Sequence, residues 1–234
     1  MDPILQDRDR VVWHRYGFKN LLVWLLVYLV VGPFLERMQY ASEIASVFLT
    51  VALISAVYAV NRQSHLVTLS VSLMALTLCL LWLERLGAFA VPRAALGGLL
   101  AVYLGTLAYS FLRHLLAVPR VNGNVICAAL CLYLVLGLLW GAFYQILDAL
   151  IPGAFAGGLL EGASGPQERV HALNYFSFVT LSTLGYGDIL PQTPDAAALC
   201  QTEAIVGQFF TVALVARLVG LEVAQDATRD RGED

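Results

Sequence analysis

Six apolar stretches set the strongest limit on what this chain can fold into. A bilayer core of about 30 Å is crossed by a helix of about 20 apolar residues, and each stretch approaches that length before a charged or polar residue ends it. With 59% hydrophobic and 13% charged residues, the composition departs from soluble domains, which have about 45–50% and 25%. We therefore expect an all-α membrane protein with six transmembrane helices. The predicted spans are Asn20–Leu35, Ile44–Val60, Leu66–Leu83, Ala94–Leu112, Val125–Leu147 and Ala196–Gly220.

The basic residues predict the orientation of these spans. Of the 14 Lys and Arg residues, all but Arg37, Arg85, Arg93 and Arg169 lie on the side that both termini share. Basic residues are enriched on the cytoplasmic side of membrane proteins, so we expect a multi-pass protein of the cell membrane with both termini cytoplasmic. The acidic residues of the outer side either attract cations or form a solvated loop.

The loop between the fifth and sixth spans contains the segment Thr183–Asp188, with the sequence TLGYGD. It follows His171–Ser182, which is apolar and of helix length but too short to span a bilayer. Glycines at this spacing allow dihedrals that are closed to other residues, so successive carbonyls can point the same way and replace the water around a cation. A surface turn is the simpler interpretation in a soluble protein. At membrane depth, irregular backbone must be buried in protein or line a watery cavity, which favours a re-entrant segment.

With these surroundings, the run Tyr175–Asp188 resembles the pore of tetrameric potassium channels, and the resemblance extends over Cys127–Leu221. The layout is similar to that of bacterial channels with six spans and one pore loop per chain. The resemblance implies six transmembrane helices plus a re-entrant pore helix and a selectivity-filter loop, assembled as a homotetramer. It divides the chain into a cytoplasmic N-terminal segment (1–19), a four-helix voltage-sensor-like bundle (20–117), a pore domain (121–222) and a short cytoplasmic tail (223–234).

We call Thr183–Asp188 the filter segment. The resemblance implies that its main-chain carbonyls bind K⁺ and that its fifth residue lies at the outer end. The implied ion-binding residues are Thr183, Leu184, Gly185 and Tyr186, followed by Gly187.

Three residues are implied to support the filter: Asp188, which caps it near the mouth, and Thr180 and Val179 on the pore helix. Val179 occupies a position where some members carry a buried Glu that pairs with the filter Asp. Asp188 therefore needs another partner, either a pore-helix side chain or water. Leu184 stands where Val is usual, which bears on fine selectivity.

Three residues of the last span are candidates for the gate or the cavity. Gly207 is either a hinge or a site of close helix packing, for which small residues are common in membranes. Glu203 is an acid inside an apolar span and thus a functional hypothesis by default; it either faces the cavity or forms a hydrogen bond behind the pore helix. Thr211, one turn past Gly207, is a cavity-lining candidate.

These features predict a potassium-selective channel that conducts passively and takes no cofactor other than K⁺ in its filter. The span Ala94–Leu112 contains no Lys or Arg, whereas a steep voltage sensor needs several charges, so we expect no strong voltage gating. Scattered histidines argue against an enzyme, and a net charge of −3 argues against nucleic acid. The expected partners are three further copies and membrane lipids. The alternatives are a cation channel with relaxed selectivity and a non-conducting subunit with a pore-like fold.

Overall fold

The computed structural model describes residues 17–31, 34, 47, 50–52, 54–56, 65–85, 92–118, 123–163 and 165–230. Helices dominate these ranges, and one short antiparallel ladder joins two loop segments. The elements are α1 (Gly17–Val31), α2 (helical residues at 47, 50–52 and 54–56), α3 (His65–Arg85), α4 (Arg93–Ala117), α5 (Gly123–Leu150), β1 (Phe155–Ala156), α6 (Gly158–Glu161), α7 (Pro166–Leu181), β2 (Leu190–Pro191) and α8 (Pro194–Asp230).

Three described helices are long and apolar enough to cross a membrane: α4, α5 and the part of α8 from Pro194 to Arg217. They coincide with the predicted fourth, fifth and sixth spans. Of two shorter apolar helices, Thr68–Leu80 lies within the predicted third span, and Gly17–Val31 overlaps the first but begins three residues before it. Most of the predicted second span lies outside the described residues.

The predicted pore helix is longer than its apolar stretch. It was expected at His171–Ser182, but α7 begins at Pro166 and ends at Leu181. Proline is favoured at the first helical position because an N–H there has no intrahelical acceptor, so proline loses no hydrogen bond by lacking one. Glu168 in the first turn complements the positive end of the helix dipole. Hydrophobicity alone therefore missed the polar first turn.

The segment Ile151–Gln167 is rich in Gly, Ala and Pro, which predicts a loop without regular structure, and this expectation is wrong. It contains β1 and α6, and β1 pairs with β2 in the register Phe155↔Pro191 and Ala156↔Leu190. The N–H of Gln192 extends the ladder by donating to Ala154 O at 2.8 Å. The loop is therefore hydrogen-bonded to the chain that follows the filter segment. Phe155, only 3% exposed, also packs this loop into the core.

The last helix also extends beyond its prediction. The sixth span was expected to end at Gly220 and to be followed by a short cytoplasmic tail at 223–234, and α8 continues through most of that tail to Asp230. No glycine or proline interrupts the sequence from Leu221 to Asp230, and such breakers are what usually end a helix.

The core lies mainly between α4 and α5, and α1 docks against both. The ring of Phe18 lies 5.3 Å from that of Phe111 and stacks on His114 at 5.2 Å. The thiol of Cys131 donates to Phe18 O at 3.4 Å. At the same end, Arg217 of α8 donates to one carbonyl in the last turn of α4 and to the carbonyl of the residue that follows the helix, which links α8 to the first half of the chain.

A second core lies behind α7. The aromatic rings of Tyr144, Phe155 and Phe176 lie 5.1 to 5.7 Å apart in mutual contact. All three side chains are buried, and they come from α5, β1 and α7. This cluster fixes α7 against α5 and thereby positions the filter segment that follows.

Candidate functional site

The filter segment leaves the carboxyl end of α7, and its first N–H groups turn back toward that helix. The carbonyl oxygen of Val179 accepts from the N–H of Leu184 at 2.9 Å and from that of Gly185 at 3.3 Å. The N–H of Thr183 donates to Thr180 O at 2.9 Å. Val179 and Thr180 thus contact the filter segment through main-chain carbonyls, whereas sequence comparison draws attention to the side chain at Val179.

Unlike the carbonyl oxygens of Val179 and Thr180, those of the filter segment accept no hydrogen bond from the described residues. Within the described part of the chain, no hydrogen bond ends on a carbonyl oxygen from Thr183 to Gly187. Main-chain carbonyls are strong acceptors that seek a partner. These five oxygen atoms are therefore available to a cation or to water.

The backbone of the filter segment alternates in hand. The φ angles of Thr183, Gly185 and Gly187 are 58°, 57° and 77°, and those of Leu184 and Tyr186 between them are not positive. Such alternation in the sign of φ rotates successive peptide planes, and glycine adopts the positive values without steric cost. Thr183 takes a left-handed conformation without being glycine, at a cost of about 1–2 kcal/mol.

Asp188 is the last residue of the filter segment, and its side chain contacts the middle of α7. Its carboxylate accepts a hydrogen bond from the hydroxyl of Tyr175 at 2.7 Å. The next residue, Ile189, is 1% exposed, and the chain then enters β2. The far end of the filter segment is therefore attached both to the middle of α7 and to the β1–β2 ladder.

A bidentate salt bridge between Arg169 and Asp148, which we call the fork, holds the start of α7 against the end of α5. Arg169 forms two parallel hydrogen bonds with Asp148 at the end of α5, at 2.6 and 2.7 Å. It also donates to Leu160 O of α6 at 3.3 Å. The hydrogen bond to Asp148 raises the pKa of Arg169, so the guanidinium stays charged. Bidentate pairs of this kind fix orientation as well as distance.

Glu203 lies behind α7 rather than on an open surface, and it is 0% exposed. The hydroxyl of Tyr144 donates to one carboxyl oxygen, and the Oγ of Ser177 lies 2.5 Å from the other. The Ser177 hydroxyl also contacts Gly137 O at 2.6 Å. Of the two positions open to Glu203 from sequence, these contacts correspond to the one behind the pore helix.

Gly207, one turn further along α8, lies against the end of α7. A Cβ at this position would collide with the carbonyl oxygen of Leu181 and lie 3.0 Å from the Leu181 side chain. The hydroxyl of Thr211 donates to Gly207 O at 3.0 Å and so stays on its own helix. The close approach accounts for glycine here, and the hinge remains a prediction.

Four contacting residues of this site received no role from sequence: Tyr175, Ser177, Tyr144 and Arg169. Each offered a signal, since a polar or charged group in or beside an apolar run needs a partner. Pairing them required knowledge of which helix faces which. No cluster of three or more His, Cys, Asp or Glu residues in the described ranges could hold a metal ion.

Comparison with family models points to the same region. A family model described as an ion channel matches residues 128–222, which contain most of α5, all of α7 and the filter segment. A segment of 71 residues is 37% identical to the two pore potassium channel c of Oryza sativa subsp. japonica. That segment is 30% of this chain and spans only 14% of the rice protein's length. No solved structure matches the chain. These findings support an ion channel family for the segment that carries the site.

Proposed function

We propose that this protein is a potassium-selective channel that conducts K⁺ passively through a filter built from Thr183–Asp188 of several chains. One observation carries the proposal: a backbone of alternating hand, with five carbonyl oxygens that no described residue occupies. The match to an ion channel family over residues 128–222 and the likeness to a rice potassium channel support it.

In this mechanism the carbonyl oxygens replace the hydration shell of the ion. Rings of carbonyls bind a dehydrated K⁺, and repulsion between neighbouring ions offsets that binding so that conduction continues. Thr183, Leu184, Gly185 and Tyr186 would contribute these rings. The carboxyl end of α7, which precedes them, carries partial negative charge and would lower the energy of a cation on that side.

One chain supplies one side of such a pore, so the proposal requires a homotetramer. The side chains of Leu184 and Tyr186 are 54% and 67% exposed in the single chain. The part of α8 that can cross a membrane is also largely uncovered, with three apolar side chains more than half exposed. These are Phe209, Val212 and Val215. Three further copies and membrane lipids would cover these surfaces.

We place the channel in the cell membrane, with both termini cytoplasmic and the filter loop entering from outside, because basic residues favour the side of the termini. We also propose that opening depends weakly on voltage. Between Arg93 and Arg113, α4 contains no basic residue, so little charge would cross the field.

Ion flux from proteoliposomes tests the proposal. Wild-type protein is expected to release K⁺ much faster than Na⁺, and Gly185→Ala is expected to abolish the K⁺ flux. A Cβ at Gly185 would meet no atom of its own chain within 4 Å, so the single chain has room for the methyl group. Its φ of 57° costs an alanine about 1–2 kcal/mol in each chain.

The two alternatives give different results in the same assay. Equal K⁺ and Na⁺ fluxes would indicate a cation channel with relaxed selectivity. A wild-type flux that equals that of empty liposomes, and that Gly185→Ala leaves unchanged, would indicate a non-conducting subunit.

A further inference from the structure

A chain of four oxygen-bearing groups joins three helices behind the filter segment. It runs from Gly137 O of α5 to Ser177 Oγ of α7, then to the carboxyl of Glu203 on α8, and ends at the hydroxyl of Tyr144 on α5. We call this the oxygen chain. Ser177, Tyr144 and Glu203 are each 0% exposed, so water has no access to these contacts within the chain.

The three contacts of the oxygen chain need three hydrogen atoms. A carbonyl such as Gly137 O only accepts, and the hydroxyls of Ser177 and Tyr144 supply one hydrogen each. If Glu203 were ionised, one contact would hold two oxygen atoms 2.5 or 2.6 Å apart with no hydrogen between them. A protonated Glu203 supplies the third hydrogen: it donates to Ser177, Ser177 donates to Gly137 O, and Tyr144 donates to Glu203.

The charges around Glu203 also favour its protonated, neutral form. Among the described residues, the titratable groups that face Glu203 are Tyr144 and Tyr133 from α5 and Cys200 from its own helix. The hydroxyl of Ser177 faces it from α7. None of these is a cation, and the ion pair found in the described ranges involves Arg169 and Asp148 instead. An unpaired carboxylate inside an apolar span is costly.

We propose that Glu203 is held as a neutral carboxylic acid and acts as a positioning residue, fixing α7, and with it the filter segment, on α8. The inference rests on the proposed function. Glu203 meets Ser177, and Gly207 meets Leu181, so two contacts with the same spacing of four residues join the helices. The contact at Gly207 allows close approach but offers no side-chain hydrogen bond. The carboxyl therefore sets the register between the helices.

Infrared spectroscopy tests the protonation directly. Purified protein in a detergent without carbonyl groups is expected to show the carbonyl band of a protonated carboxylic acid at neutral pH. The band should vanish in Glu203→Gln and persist in Glu161→Gln, which alters an exposed acid of α6. Glutamate labelled with carbon-13 at its carboxyl should shift the band in wild-type protein, so its assignment to a glutamic acid does not require a folded variant. Absence of such a band overturns the inference.

Flux measurements test the positioning role. In Glu203→Gln the amide can donate to Ser177 and accept from Tyr144, so its ratio of K⁺ to Na⁺ flux should stay close to wild type. In Glu203→Leu, the new side chain has a similar volume but cannot form a hydrogen bond. The ratio of K⁺ to Na⁺ flux per assembled channel should therefore fall by about tenfold. Ser177→Ala is the second variant if Glu203→Leu does not assemble, and it should show the same loss.

Two results contradict the positioning role. One is a Glu203→Gln protein as impaired as Glu203→Leu, which would show that the negative charge matters. The other is an assembled Glu203→Leu or Ser177→Ala channel with the wild-type flux ratio. If neither variant assembles, Glu203→Gln alone decides: wild-type flux supports the role, and impaired flux overturns it. If wild-type protein conducts no ion, the proposed function fails, and the infrared band still decides the state of Glu203.

Discussion

The hydroxyl of Tyr175 donates to the carboxylate of Asp188 across 2.7 Å, and so joins the middle of α7 to the last residue of the filter segment. Burial, and then the hydrogen bond to Asp188, raise the pKa of Tyr175 to about 12. The hydroxyl therefore remains a donor at neutral pH. Val179 has no carboxyl group that could pair with Asp188. The phenolic hydroxyl of Tyr175 is the hydrogen-bond partner of Asp188 instead. The other oxygen of Asp188 has no partner among the described residues.

Replacing Tyr175 with Phe removes this donor and keeps the ring. A hydrogen bond to a charged group contributes about 1.5–3 kcal/mol, and partial exposure of both residues favours the lower end. We expect Tyr175→Phe to assemble normally but to lose about tenfold in sustained K⁺ flux, measured as the time course of release from proteoliposomes. Tyr109→Phe, at a side chain 55% exposed on α4, is the matched control. Equal time courses for the two variants would refute a role for this contact.

The pH dependence of this contact follows from the same pKa. Because the pKa of Tyr175 is raised from 10.0 to about 12, its stabilising contribution is complete below about pH 10 and is lost as pH rises through about 12. We expect the difference in sustained flux between wild type and Tyr175→Phe to stay constant from neutral pH to about pH 10 and then to shrink. A difference that disappears near neutral pH would contradict this assignment.

The contact between α8 and the end of α7 can be tested with two substitutions in one helix. Gly207→Ala places a methyl group against the Leu181 carbonyl, so α8 must move away from α7. Gly220→Ala meets no atom within 4 Å, and alanine is favoured over glycine in a helix by about 0.5–1 kcal/mol. Thermal unfolding should therefore show a lower midpoint for Gly207→Ala and an equal or higher midpoint for Gly220→Ala. The reverse order would be evidence against close packing at Gly207.

The fork between Arg169 and Asp148 is expected to couple the two residues energetically. Its geometry is bidentate, but the Arg169 side chain is 32% exposed, so we expect a coupling of about 1 kcal/mol. Denaturant unfolding of Arg169→Ala, Asp148→Ala and the double variant measures it as the departure from additivity. Additive effects would mean that the fork contributes nothing beyond its separate side chains.

Sequence alone predicted what depends on local pattern. The apolar lengths located α4, α5 and the first part of α8, and the glycines at 185 and 187 indicated left-handed backbone, which the φ angles show. Contacts between helices could not be predicted in this way. The pairing of Ser177 with Glu203 and of Arg169 with Asp148 depends on how helices far apart in sequence rotate against each other. Helix ends were also missed, because Pro166 and the chain after Gly220 carry no hydrophobic signal.

Assembly of four chains has a direct readout. Native mass spectrometry of the protein released from detergent should show a species of four times the chain mass of 25.5 kDa. Phe209→Glu places a charge on the uncovered face of α8, where Phe209 is 71% exposed, and should reduce that species. Leu159→Glu, 51% exposed on α6, is the control outside this face. A wild-type protein that remains a monomer would rule out the proposed pore.

The reversal potential with K⁺ on one side of a planar bilayer and Na⁺ on the other tests the central claim most directly. For a monovalent ion, each tenfold preference shifts this potential by about 59 mV. A selective filter at Thr183–Asp188 should give a shift of about 120 mV or more, with no current from Gly185→Ala. A wild-type current that reverses near 0 mV would contradict potassium selectivity, and the absence of any wild-type current would contradict conduction.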